Sequence, residues 1–482
     1  MSFYSGDIDF KEFRCAASFC KRYHFFCDLA KMRSEIEKEE VRMTGVSRNF
    51  KVGTLLLMSS LLAAGCGGSG DNGSAAPVME KKEPFEMSIY AAGVSVKEFD
   101  DRFRKTLEAK FPHITFKYRT NQPGATITEF VAQGDIPDLI RTDIPTLKTL
   151  YTDLGLAYDL REMVKKYKYD LNRFNSVFTQ EIIDVMGTGA MYGLPVPPYF
   201  PQVLYYNKDL FDKFGVAYPK DGMTLDDVYE LAKKMSRTDG GVTYRGFSAN
   251  TMAFLRDNPF SHPILDPKTD ALSDPERWKG LFTTLKRFYD IPNNAIGKTV
   301  AEENNAFSKG NVAMQINQHS VYLIIPPEVN WDLVSAPLIS GAPKMMGQRG
   351  PAYWSITNQS KHKEEAFQAI MEMLSDEIQM QDSKNGIPTT LASKEIQAAL
   401  GKDHPVYSKK NMNSLNLYPP ISATPKRQSG LVDVALGTQQ NLMSGQFQKF
   451  ATNAMDINSV MREADELLKK EVQKEKEKTG AK

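Results

Sequence analysis

The chain has 482 residues, a net charge of +1 and 25% charged side chains. That length can bury a full core, and the even charge balance excludes the basic stripe of a nucleic-acid binder. Three of the four cysteines (Cys15, Cys20 and Cys27) fall ahead of an apolar run that ends at the fourth, Cys66, which excludes a disulfide framework for the body that follows. No cofactor is expected.

In chain order, Arg48 and Lys51 precede a short apolar stretch that closes on Ala63-Ala64-Gly65-Cys66. A basic segment, an apolar run too short to span a bilayer and small residues at its end make a secretory signal. The last four residues resemble a bacterial lipobox, which implies lipidation of Cys66 and a chain held outside the cytoplasmic membrane, on an extracellular or periplasmic face. Residues 43–65 are then a lipoprotein signal peptide starting at Met43, and residues 1–42 an overlong N-terminal extension. Residues 66–83 form a linker, because the Gly/Ser tract after Cys66 cannot bury apolar surface and behaves as a flexible coil.

Past Phe85 the pattern alternates between strand and helix. Phe85–Tyr90 alternates as a strand, and Ser95-x-x-Glu98 reads as a capping box ahead of Phe99, Phe103 and Leu107 on one helical face. Pro112 ends that helix, and Ile114–Tyr118 alternates again. Strand, helix, strand at this spacing predicts a βαβ unit and a parallel sheet. The next cycle places a helix at Ile127–Gln133, a turn at Gly134-Asp135 and a strand at Ile136–Ile140. Thr224-x-x-Asp227 opens a helix bearing Leu225, Val228, Ala232 and Met235, and another is expected at Lys363–Leu374. A long amphipathic helix carrying Ile457, Val460, Ala464, Leu467 and Leu468 is expected to fray beyond Val472.

No catalytic signature is present: no phosphate-binding Gly-rich loop ending in Lys-Ser/Thr, no His-Glu-x-x-His and no Gly-x-Ser-x-Gly. The histidines show no metal-ligand spacing. Acidic pairs such as Asp226-Asp227 and Glu302-Glu303 read as solvated surface, although two distant carboxylates could still meet in a cleft.

Two stretches carry a family resemblance. Gly193–Lys213, with its Pro-rich start, apolar strand and Tyr206-Asn207-Lys208, resembles the signature of family 1 extracellular solute-binding proteins, the maltodextrin-binding-protein-like sugar receptors of ABC importers. Phe307–Asn317 resembles that family's Phe-x-x-Gly-x-x-Ala-Met block, followed by Pro337 and Gly350–Ile356, with smaller echoes at Gly134–Asp138 and Asn385–Pro388. The resemblance implies an α/β, two-lobed periplasmic-binding-protein-like fold, with the ligand in a cleft between lobes joined by about three crossings. These are expected near Pro195–Phe200, Gly350–Trp354 and Ser414–Pro419. Lobe 1 would comprise residues 84–196 and 355–415, and lobe 2 residues 197–354 and 416–482.

A sugar offers apolar C–H faces and many hydroxyls, so its receptor needs aromatic platforms and fixed polar groups. Candidates are Tyr199, Phe200 and Gln202 in the first crossing, and Tyr353 and Trp354 in the second. Asn317, Gln318 and His319 follow the Ala-Met strand, where family members place ligand contacts. Arg141 and Asp143 follow the Ile136–Ile140 strand at its C-terminal end, where α/β clefts take ligands. The chain is thus expected to be a non-enzymatic, lipid-anchored, monomeric receptor that passes an oligosaccharide to an ABC permease and binds no nucleic acid. A secreted carbohydrate-active enzyme is the alternative, and a sensory accessory would share the same fold. On this reading Trp354→Ala is expected to weaken sugar binding by about 1–3 kcal/mol through lost burial and stacking.

Overall fold

The computed structural model describes residues 83–480 other than 185, 186, 321–324 and 429. The expected signal, Cys66 and most of the linker lie outside the described residues. Twelve strands are described, in chain order β1 (Phe85–Ala91), β2 (Ile114–Thr120), β3 (Leu139–Asp143), β4 (Leu194–Val196), β5 (Phe200–Asn207), β6 (Arg237–Asp239), β7 (Val242–Tyr244), β8 (Ser248–Ala249), β9 (Met314–Gln318), β10 (Trp331–Ser335), β11 (Gln348–Arg349) and β12 (Ala352–Ile356). The first sheet runs β2-β1-β3-β12-β4; the second runs β10-β5-β9-β8, with β11 also on β5. Strands β6 and β7 form a separate hairpin.

Met87, Ile89, Tyr90 and Ala91 of β1 are all buried, as a strand covered on both faces requires. Its parallel neighbours are β2 and β3. The helix over 96–110 covers one face with Phe99, Phe103 and Leu107, at the spacing the sequence predicts. Its capping box is half made: Ser95 Oγ accepts from the Glu98 N–H at 3.1 Å, but the Glu98 carboxylate turns to Arg102. At Thr224 and Asp227 both halves of the box are present, with 3.1 Å and 2.8 Å bonds.

The third strand starts three residues later than the alternation suggested. Pro137 has no N–H to donate to a ladder. Next to it, the Asp138 carboxylate takes the Ser88 N–H at 2.9 Å and the Ser360 hydroxyl at 2.6 Å, which anchors the lead-in without a strand. The shift puts Arg141 and Thr142 inside the sheet. The parallel pairing expected of the βαβ unit holds for β1 with β2 and β3, and β12 adds an antiparallel strand between β3 and β4.

Each sheet has its own apolar core. One gathers Ile89, Phe103, Leu139, Trp354, Phe367 and Ile370; the other gathers Leu204, Phe247, Trp278, Phe282, Phe447 and Leu468. The helix Ile457–Thr479 buries Val460, Ala464, Leu468 and Val472 on the second core. It does not end at Val472: Glu471–Lys474 and Glu475–Lys478 pairs line its last turns, and Lys476 reaches Asp270 at 2.9 Å.

The chain passes from the first sheet to the second at residues 197–199, between β4 and β5, and returns at Gly350-Pro351, between β11 and β12. All of β12 therefore belongs to the first lobe, including residues 352–354, which the sequence had placed in the second. The third passage also moves. Leu400, Tyr407, Met412 and Leu415 pack with Tyr205, Trp331 and Leu333 of the second sheet, and the Asn411 N–H donates to Asp332 at 2.9 Å. The chain has thus left the first lobe near residue 399, ahead of Ser414–Pro419.

Candidate functional site

A cavity lies where the two sheets meet, lined from the first lobe by Ile144 and Glu181 and from the second by Arg256, Asp257, Asn258 and Ser261. The second passage contributes Gln348–Pro351, and the segment after the third contributes Ile421–Thr424 and Lys426. The last two runs are laced together: the Met346 N–H donates to Pro419 O and the Ile421 N–H to Met346 O, each at 2.9 Å, and Gln348 Nε2 donates to Ile421 O at 3.1 Å.

The second-lobe wall is built from a capped helix. Asn250 caps Thr251–Arg256 by accepting from the Ala253 N–H at 3.1 Å, and that helix delivers Arg256 and Asp257 to the cavity. Arg256 grips the Asp257 carboxylate through Nε at 2.6 Å and through Nη2, while Nη1 donates to Gln440 at 2.9 Å. Gln318 Nε2 donates to the same carboxylate at 3.1 Å. Planar, bidentate pairs of this kind hold geometry as well as charge.

On the facing wall, Glu181 stands on the helix Ser176–Asp184 with Oε2 3.0 Å from the Tyr353 hydroxyl. Two glycines permit close approach at the cavity, one across the lobes and one within the second. A Cβ on Gly350 would lie 2.3 Å from Glu181 Oε2, and one on Gly347 would lie 2.3 Å from the Asp257 carbonyl oxygen. Arg349, between them, pairs across the lobes with Asp143, whose other carboxylate oxygen accepts from Thr146. The cavity measures about 80 Å³ in this conformation. Ligand pockets typically measure ~300–1,000 Å³, so admitting a sugar ring requires the lobes to part.

The residues singled out from sequence divide sharply. Asp143 and Gln318 reach the cavity wall through Arg349 and Asp257. The Arg349 guanidinium lies 5.9 Å from the Phe200 ring centre. Gln202 is buried and supports the wall from behind, donating to Ala253 O at 2.9 Å. Asn317 is also buried; its side-chain oxygen accepts from Asn250 at 3.0 Å, so it braces the cap of the Arg256 helix. Tyr353 positions Glu181. Tyr199 turns away from this cavity, against Phe178 with ring centres 5.1 Å apart, and lines a separate hinge-side pocket of about 140 Å³.

Trp354 and Arg141 lie in the first sheet. Trp354 is 1% exposed, edge-on to Phe103 at 6.3 Å. Arg141 sits opposite Trp354 in the β3–β12 ladder. Burial, and then the nearby Arg102, pull its guanidinium down to about 10. No aromatic ring lines the cavity among the described residues; its polar lining includes the charged pairs Arg256–Asp257 and, through Arg349, Asp143. Glu181, Arg256, Asp257, Arg349 and Lys426 were missed from sequence. The available signal was Gly347 and Gly350 bracketing a polar pair, a spacing that permits close backbone approach.

His319 is buried at the end of the second sheet, with Nε2 3.1 Å from the Gly386 carbonyl oxygen, so Nε2 carries the proton. Burial holds the imidazole down at about 4. An unfolded His titrates near ~6.5. Between these values the unfolded chain binds a proton that the folded chain refuses, so stability is full above ~6.5 and falls as the pH drops toward 4. The expected loss is on the order of 3 kcal/mol across that window. Urea unfolding at several pH values should show a flatter profile for His319→Gln than for the parent; parallel profiles would remove His319 as the cause.

Among the described residues no group of His, Cys, Asp or Glu is gathered to hold a metal ion, and no helix is long and apolar enough to cross a membrane. Residues 92–380 match the family described as bacterial extracellular solute-binding protein. An uncharacterised ABC transporter extracellular-binding protein of Pyrococcus horikoshii is 25% identical over 210 residues, 41% of this chain and 45% of that relative. The chain thus spans under half the length of the curated relative it matches. Among solved structures, an ABC substrate-binding protein of Listeria monocytogenes in complex with cycloalternan superposes with a TM-score of 0.60 at 20% identity, covering 83% of this chain and 100% of that one. A Rhizobium etli sugar transporter in an open conformation gives 0.61 at 18% identity, covering 80% and 99%. At these identities it is the two-lobed fold that is shared.

Proposed function

The chain belongs to the bacterial extracellular solute-binding protein family, and from that premise we propose that it is a receptor that captures an oligosaccharide between its lobes and hands it to an ABC permease. The observation that carries this reading is the cavity between the sheets, walled by the Arg256–Asp257 pair, which Gln318 holds, on one side and by Glu181 on the other. Fixed carboxylates and guanidinium N–H groups suit hydroxyls, which both donate and accept. The Listeria protein, seen with cycloalternan, and a maltose/maltodextrin-binding domain of Bdellovibrio bacteriovorus, seen with maltotriose, favour a sugar.

Capture works by closure. A solute touching both walls gains contacts only when they meet, so its binding shifts the population toward the closed form. The Arg349–Asp143 pair, which spans the lobes, is placed to break as they part. The lipobox resemblance supports attachment through lipid on Cys66 and work at the outer face of the cytoplasmic membrane, as a monomer that docks on its permease.

Hydrolysis is disfavoured by the state of the carboxylates. Asp257 is gripped by Arg256 and Gln318, and Asp143 by Arg349 and Thr146, so neither is free to act as a nucleophile or base beside Glu181. Melting curves with a panel of oligosaccharides, followed by mass spectrometry of the sugars, test the reading. A selective rise in Tm with intact sugar is expected, about 2.7 kcal/mol of stabilisation at a hundredfold excess over Kd. Cleaved sugar would overturn the receptor assignment.

A further inference from the structure

Two charges in the cleft, one of each sign, make no direct ion pair among the described residues, and their arrangement bears on which solutes fit, given the capture role proposed above. Arg256 is matched by Asp257, and Arg349 by Asp143. Glu181 and Lys426 line the same cavity from opposite walls, and among the described residues neither makes an ion pair. Glu181 accepts from the Tyr353 hydroxyl at 3.0 Å and occupies the space that the absent Cβ of Gly350 leaves. Burial raises its carboxyl above the ordinary range, and the charge of Lys426 works against that rise, so the two feel each other across the cavity.

We propose that Glu181 and Lys426 form a charge filter that selects neutral, polyhydroxylated solutes. Three cations and three carboxylates then meet at the cleft, and their sum is zero. A neutral ring can be enclosed with every charge compensated, its hydroxyls donating to Glu181 and accepting from Lys426. A solute with one net charge leaves that charge buried without a partner, a cost that enclosure in low dielectric makes severe. Removing either member unbalances the site in a defined direction. Glu181→Gln leaves an excess positive charge and should admit anionic sugars. Lys426→Gln leaves an excess negative charge and should admit cationic ones.

The test is a titration of the full chain and the two variants with trisaccharides of the malto, cello and manno series, and with trimers of the same series in which one unit is a uronate or one unit is a glucosamine, so that each charged trimer carries a single charge. The parent is expected to prefer a neutral trimer over both charged ones by at least about tenfold, and each variant to shift that ratio toward its complementary charge by about tenfold or more. Glu181→Gln keeps the size of the side chain and an oxygen for Tyr353, and Lys426→Gln reports independently from the other wall. A cooperative melt for each variant establishes folding. A variant that binds the neutral sugar but keeps the parent's charge preference overturns the filter alone. Folded proteins that take no trimer of any charge overturn the sugar reading, and the filter with it.

Discussion

Glu303→Ala should cost about 3–5 kcal/mol of stability, as expected when one partner of a buried ion pair is removed. Glu303 is fully buried, which corrects the reading of Glu302-Glu303 as solvated surface: its partners Arg245 and Tyr289 compensate the charge inside the fold. Its Oε1 accepts from Arg245 at 2.9 Å and from the Tyr289 hydroxyl at 3.0 Å, and Oε2 takes the Gly297 N–H at 2.8 Å. Truncation removes the charge opposite the Arg245 guanidinium, which retains a 3.2 Å bond to the Phe247 carbonyl, and takes the carboxylate from a phenol and a backbone N–H that were desolvated on folding. The effect also reaches the cleft. Oε1 lies 3.4 Å from the Ala249 N–H of β8, and the next residue, Asn250, caps the helix that carries Arg256. Glu303→Gln keeps a carbonyl acceptor in the same volume and should lose less. Urea unfolding of the three proteins decides it; an alanine variant within about 0.5 kcal/mol of the parent would mean that water replaces the carboxylate at no cost.

Trp354→Ala should likewise cost about 3–5 kcal/mol, the range for emptying a large aromatic site in a core. Its indole lies against Phe103 on a strand held by β3 on one side and β4 on the other, so the surroundings cannot collapse readily. Under conditions where the variant remains folded, its affinity for solute should match that of the parent. This outcome separates the structure from the sequence reading, in which the same change weakened binding through lost stacking. Trp354→Phe keeps a ring and discards an indole N–H that has no hydrogen-bond partner among the described residues. It should cost far less. A folded Trp354→Ala protein with sharply reduced affinity would return Trp354 to the ligand.

The elements were legible where side-chain period and caps agreed. Phe99, Phe103 and Leu107 share a helical face as their spacing required, and Thr224 with Asp227 starts its helix as a full capping box. The third strand was misplaced because Ile136, Leu139 and Ile140 look alike to a period-two reading, while Pro137 and the side-chain bonds of Asp138 decide where the ladder begins. That three-residue shift moved Arg141 from a strand end into the sheet. The cleft was harder to read, since its charged residues come from segments far apart in the chain and only the fold brings them together. Aromatics in the crossings drew attention by type, yet Tyr199, Tyr353 and Trp354 are all at most 5% exposed. Large rings are what a hinge region buries first, since they remove the most apolar area per side chain.

The order β2-β1-β3-β12-β4 also dictates when the first lobe can form. Its inner strand β12 lies between two strands that leave the ribosome more than 150 residues earlier. Until Ile356 has emerged, β3 and β4 face an empty slot, and the helices Lys363–Met373 and Asp376–Lys384 that cover the sheet arrive later still. A nascent chain therefore carries an incomplete N-terminal lobe through most of its synthesis. Completion of the first lobe thus waits on its last strand to be made, and the sheet closes only when β12 inserts between β3 and β4, a pairing of high sequence separation that folds late.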